Sequence, residues 1–136
     1  MEYKTIRNRG EDEFIERRSR FIGHIAPVKT EEEALAFLEE VRAANREANH
    51  NCYAYVLREG QIRRYSDDGE PQGTAGVPIL EVLLRNELVD VCAVVTRYFG
   101  GVLLGAGGLV RSYSTGASIA VAAGGIMTMT PCTSFV

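Results

Sequence analysis

Two stretches of the chain concentrate residue types that do chemistry. The first, Ser66-Asp67-Asp68-Gly69-Glu70-Pro71-Gln72-Gly73-Thr74-Ala75-Gly76, carries Asp67, Asp68 and Glu70 in one short run. Carboxylates so close in sequence can chelate a divalent cation or divide acid and base work, although EF-hand spacing is absent. Asp-Asp-Gly is equally ordinary turn chemistry, with the acids solvated. The second stretch runs from Arg97-Tyr98-Phe99-Gly100-Gly101 to Gly105, Gly107 and Gly108, with Arg111 just beyond. A glycine loop opening a helix presents free N–H groups to an anion, and either arginine could add charge-assisted hydrogen bonds to a phosphate. The same glycines could instead serve only a tight turn and close packing of helix on sheet.

Neither standard phosphate motif is met. A dinucleotide fingerprint needs a third glycine where Val110 stands, and a P-loop needs Lys-Ser or Lys-Thr where Ala106-Gly107 stands. His50 lies two residues before Cys52 and would share a strand face with it. No acid is placed to orient that histidine, and the apolar alternation around Cys52 argues for a buried, inert thiol. No catalytic residue and no metal ligand is therefore assigned from the residues, and no cofactor is expected.

The elements that must position these residues follow from periodicity. Val89 to Thr96 is an almost unbroken apolar run, the pattern of a strand buried on both faces, and it is expected to break at Arg97. Leu109, Val110, Tyr113, Ala117, Ala120 and Val121 then recur at helical spacing, and Gly124-Gly125 stops that helix. Earlier, Thr30 with Glu33 forms a capping box ahead of Ala34, Leu35, Leu38 and Val41, with Phe37 and Ala44 beside the stripe. Cys52–Arg58 alternates as a strand, and Glu59-Gly60 turns it into Gln61–Tyr65. Thr74 is placed to cap a helix from about Ala75 to Asn86, with Pro78 in its first turn. A strand is expected from about Phe14 to Val28, carrying Arg17-Arg18-Ser19-Arg20 as an edge cluster, and a last short one over Ile126–Thr130. The order, βαββ-loop-αβ-loop-αβ, predicts an α+β or α/β two-layer domain.

With 136 residues the chain has room for one core. A net charge of −3 and a pI near 5.4 argue against a general duplex-DNA binder, and no sequence-specific duplex DNA partner is expected. Cys52, Cys92 and Cys132 are widely separated and odd in number, a poor fit to zinc or redox pairs and a good one to a reducing compartment. No apolar run approaches the ~20 residues of a membrane span, so no membrane partner is expected and the reading is cytoplasmic.

Taken together, His50-Asn51-Cys52-Tyr53-Ala54-Tyr55, the 66–76 run, Val95-Thr96-Arg97-Tyr98-Phe99-Gly100-Gly101, and Leu104-Gly105-Ala106-Gly107-Gly108-Leu109-Val110-Arg111-Ser112-Tyr113 resemble the signature of the YigZ/IMPACT family. The resemblance runs from about residue 15 to the end. It implies an IMPACT N-terminal domain over residues 1–130 with the fold of ribosomal protein S5 domain 2, a four-stranded sheet with helices on one face. It also implies that residues 131–136 begin a missing or truncated C-terminal ferredoxin-like domain.

Eukaryotic members regulate translation under amino-acid starvation. The resemblance therefore implies a translation-linked, stress-response binding module whose partner is the ribosome, RNA or a translation-associated protein. Its expected surface comprises His50, Asp67, Asp68, Glu70, Arg97, Tyr98, Phe99, Gly100, Gly101, Gly105, Gly107, Gly108 and Arg111, with Tyr98 as a stacking face. The alternative is a small-molecule enzyme holding a phosphate or nucleotide in the glycine loop.

Overall fold

A computed structural model describes residues 2–130; the segment expected to open a second domain, 131–136, lies outside them. The chain runs β1 (Tyr3–Ile6), β2 (Gly10–Glu16), β3 (Ser19–Pro27), α1 (Glu31–Ala44), β4 (His50–Leu57), a 3-10 turn, β5 (Ile62–Ser66), α2 (Gly76–Arg85), β6 (Val91–Tyr98), α3 (Gly105–Gly124) and β7 (Ile126–Met129). Five strands form one sheet in the order β2-β3-β6-β4-β5, every neighbour antiparallel, and β1 pairs with β7 as a separate ribbon. Because β3 and β4 both pair antiparallel with β6, they are parallel to each other and α1 is the crossover between them. Likewise α2 carries the chain from β5 across β4 to β6.

The mixed α+β class holds, but the four-stranded sheet with helices on one face does not. Val91, Ala93 and Val95 of β6 join the core beneath α2 and α3, whereas Cys92 and Val94 join a second core beneath α1. A strand apolar on both faces needs cover on both, so the helices flank the sheet in three layers. The extra strand comes from Arg17-Arg18, expected mid-strand. Both residues adopt positive φ (48° and 69°) and turn the chain, so that β2 folds back on β3.

Local signals explain most of the remainder. In α1, Thr30 Oγ1 accepts from the Glu33 N–H at 3.1 Å, and Ala34, Phe37, Leu38 and Val41 are buried. Leu35 is exposed, so Phe37 takes the place in the stripe that the sequence pattern assigns to Leu35. Thr74 does not cap α2. Its hydroxyl donates to the Pro71 carbonyl, and Asp67 serves the helix start instead, its Oδ1 accepting from the N–H groups of Ala75 (3.1 Å) and Gly76 (2.8 Å). A carboxylate there also complements the positive end of the helix dipole. In α3, Leu109, Tyr113, Ala117, Ala120 and Val121 face the core as their spacing predicts, while Val110 turns outward.

The approach of α3 to the sheet is set by glycines. A Cβ on Gly23 would lie 2.1 Å from the Gly116 carbonyl oxygen, and one on Gly116 would lie 2.7 Å from Val95. Both contacts involve atoms that cannot swing aside, so Gly23→Ala should destabilise the fold by about 2–3 kcal/mol or more through overpacking. Gly107→Ala, with only ordinary contact to Arg111, should be neutral or stabilising through helix propensity. Urea unfolding of the two variants separates these outcomes.

On the α1 face, His24 is buried, its Nε2 donating to Thr96 Oγ1 at 3.1 Å while the Thr96 hydroxyl donates to Asn51 Oδ1 at 2.7 Å. Burial lowers the His24 pKa below 6.5, against a smaller opposing pull from Glu11. The unfolded chain therefore takes up this proton first, and stability should fall as pH drops below about 6.5. The difference in unfolding free energy between wild type and His24→Gln should be constant above that pH and change below it.

Candidate functional site

The site forms where β4 begins beside the end of β6, His50 opposite Arg97. The sequence pattern ends the central strand before Arg97. In the structure β6 continues to Tyr98, and alternation places Arg97 on the face shared by Val91, Ala93 and Val95, only 5% exposed. Its Nη1 donates to Glu70 Oε2 at 2.8 Å and its Nε to Ser19 Oγ at 3.2 Å. The guanidinium lies 5.6 Å from the Phe21 ring centroid and 5.2 Å from that of Phe99. Arg97 is thus no free charge awaiting a phosphate. It is the partner of Glu70, itself 8% exposed, whose Oε2 also accepts from the buried Tyr113 hydroxyl at 2.5 Å. Desolvation, reinforced by Cys52 and Glu70, drives the Tyr113 pKa far upward and keeps it a neutral donor.

The 66–76 loop is held around this pair by its other acids. Besides the two α2 amides, Asp67 accepts from the Gly73 N–H through Oδ2 at 3.0 Å. Asp68 Oδ2 accepts from the Asn51 N–H at 2.7 Å, and the Asp68 carbonyl accepts from His50 Nδ1 at 2.8 Å. That bond makes Nδ1 a donor, and Nε2 is directed at Glu70 Oε1, 3.6 Å away. The carboxylates of Asp67 and Asp68 thus accept backbone N–H groups that hold the loop in place. The Cys52 thiol lies against the Asp67 carbonyl, and burial pushes its pKa well above the ordinary value, as it pushes Cys92 to about 12.

Above the ion pair opens a cavity of about 410 Å³, whose apolar wall includes Phe99, Leu103, Leu104 and Leu109, with His50, Glu70 and Arg97 reaching it. Phe99 is anchored by its N–H donating to Asn49 Oδ1 at 2.8 Å, yet it is 44% exposed, and Leu103 is 81% exposed. The surface expected from the sequence leaves out Leu103, Leu104 and Asn49, although Leu104 opens one of the signature motifs. Two adjacent leucines in a glycine loop, where no strand or helix period explains them, were the available signal.

Other expected site residues fall elsewhere. Tyr98 alternates to the opposite face, where its hydroxyl donates to Asn45 Oδ1 at 2.6 Å and Arg20 covers its ring, so it is not the site's stacking face. Gly100 packs on the β2–β3 turn, where a Cβ would come within 1.9 Å of the Arg18 carbonyl oxygen. Gly101 lies in the loop, Gly105 borders the cavity at the start of α3, and Gly107 and Gly108 lie in its first turn. Arg111 faces a second hollow with Arg17, Glu16, Gly108 and Ser112, bounded by Leu104, which also lines the cavity. A further hollow of about 450 Å³ lies on the α1 face, with Arg9 bridged to Glu40 on its wall and Arg20 bridged to Glu13.

Removing one charge of the buried pair leaves the other uncompensated, so Glu70→Gln should cost about 3–5 kcal/mol. The double variant Arg97→Met/Glu70→Met should cost much less than the two single changes added together. A double-mutant cycle by urea unfolding reads this coupling.

Comparison with known proteins agrees with this geometry. Residues 17–121 match the Impact N-terminal domain family. The chain is 52% identical over 117 residues to the IMPACT family member YvyE of Bacillus subtilis, covering 85% of this chain and 54% of that protein. It is 45% identical over 108 residues to the IMPACT family member YigZ of Escherichia coli, covering 77% and 53%. The chain thus spans about half the length of these curated relatives. A crystal structure of a hypothetical protein superposes with a TM-score of 0.89 at 38% identity, covering 96% of this chain and 65% of that one. Both the family match, which takes in β3 through most of α3, and the identity to YvyE and YigZ lead to one conclusion: the chain belongs to the IMPACT family through its Impact N-terminal domain.

Proposed function

We propose that residues 1–130 form a translation-linked regulatory binding domain acting in the cytoplasm, with the cavity between the 66–76 and 97–108 loops as its recognition site. Its partner is the ribosome, its RNA, or a protein associated with translation. One observation carries the reading. The two signature loops converge on a single exposed apolar opening whose charged floor is already paired, Arg97 with Glu70. Such a surface favours recognition over chemistry, because its acids and bases are occupied by structural hydrogen bonds. The eukaryotic members that the sequence resembles act in translational control, which supplies the biological setting. We also read the fold as an elaborated relative of ribosomal protein S5 domain 2.

The phosphate-cradle alternative fares worse on the same geometry. Arg97 is neutralised by Glu70, and Asp67 accepts three backbone N–H groups, so neither is free for a phosphate or its cation. Sedimentation through sucrose with purified ribosomes tests the proposal. The chain should travel with ribosomal particles, and Leu103→Asp, at an exposed position on the cavity rim, should release most of it while leaving the urea midpoint unchanged. Absence of the wild-type chain from ribosomal fractions at low and moderate salt, and of any capture by translation factors, would overturn it.

A further inference from the structure

Three features meet at one corner of the molecule. Leu103 and Phe99 present apolar surface at the rim of the cavity. Beyond Leu104, which separates the two, a hollow of about 320 Å³ is edged by Arg17 and Arg111. Among the described residues neither arginine makes a side-chain hydrogen bond or ion pair, although Glu16 also lines that hollow, whereas Arg9, Arg20, Arg42 and Arg97 are each bridged to a glutamate. The basic ledge is also fixed in place. Arg17 and Arg18 form the tight β2–β3 turn, and the Arg18 carbonyl sits against Gly100, directly after Phe99, so closely that no side chain fits between.

We infer that this corner docks an acidic peptide segment of a protein partner, one large apolar side chain entering the cavity and flanking carboxylates lying on the Arg17–Arg111 ledge. The inference rests on the binding-domain reading above and names the chemistry of its partner. The cavity floor is charge-matched, so an uncharged group enters it without displacing an ion pair. Its wall is mainly aliphatic, with Phe99 the aromatic member, which suits a leucine or phenylalanine better than a stacked series of bases. Unpaired arginines beside an apolar anchor site are complementary to carboxylates flanking the anchor, the arrangement that gives specificity and salt-sensitive association.

Fluorescence anisotropy with the full chain tests this. The probe is a short fluorescein-labelled peptide with one phenylalanine flanked by aspartates and glutamates. The controls are the same peptide with alanine for phenylalanine, a lysine-flanked version, and labelled oligouridylate. The acidic phenylalanine peptide should bind, more weakly at higher salt. Leu103→Asp and Arg111→Glu, both at exposed positions, should each lower affinity by about tenfold or more. No binding of the acidic peptide, equal binding of its alanine version, or tighter binding of oligouridylate would overturn the inference. Ribosome co-sedimentation persisting alongside such a result would remove this inference alone. Peptide binding by a chain that does not associate with ribosomes or translation factors would remove the translation reading alone.

Discussion

A guanidinium buried in an apolar layer must be met by a fixed counter-charge, and in this domain that requirement ties the sheet to its loops. Arg97 stands on the central strand, Glu70 on the loop before α2, Tyr113 on α3 and Ser19 at the start of β3. Four segments distant in sequence are joined by hydrogen bonds to one ion pair, and Phe21 and Phe99 close over it. Such a pair contributes little net stability compared with apolar packing of the same volume. What it supplies is position: with Glu70 anchored, the 66–76 loop has one place to lie, and the cavity has one shape.

The remaining polar groups of that loop extend the same logic. Asp67 gathers the start of α2, Asp68 gathers Asn51 and His50, and each of these bonds satisfies a part-buried donor, whereas the Gly73 N–H that Asp67 also accepts is exposed. A loop rich in acids is thereby converted into a rigid wall. The exposed surface beside it is correspondingly apolar at Phe99 and Leu103 and basic at Arg17 and Arg111.

Much of this was legible from the residues, and the exceptions have physical causes. The doubly apolar run of β6, the Thr30 cap of α1 and the helical spacing from Leu109 to Val121 all rest on local periodicity and appear in the structure. Arg97 was misplaced because a charged residue normally ends a buried strand; only the distant Glu70 makes its burial tolerable. The Arg17-Arg18 turn escaped notice because tight hairpins favour Asn-Gly or Asp-Gly, and two arginines at positive φ carry no such signal. Asp67 displaced Thr74 as the cap of α2 through contacts spanning eight and nine residues, beyond the reach of a capping pattern. The two loops were singled out together from their motifs, but only three-dimensional geometry could reveal that Arg97 of one faces Glu70 of the other.

The strand order β2-β3-β6-β4-β5 has a consequence for how the domain is born. The two hairpins, β2–β3 and β4–β5, can each close as soon as they are synthesised, but they share no edge. Their common neighbour is β6, which comes later in the chain than all four. During synthesis the two hairpins therefore wait as unjoined halves, each with an open edge exposed to other chains. Arrival of Val91–Tyr98 closes both edges in one step, and that same strand brings Arg97 to Glu70. Completion of the sheet and formation of the Arg97–Glu70 pair are one folding event, and the cavity wall from Phe99 to Leu109 follows it.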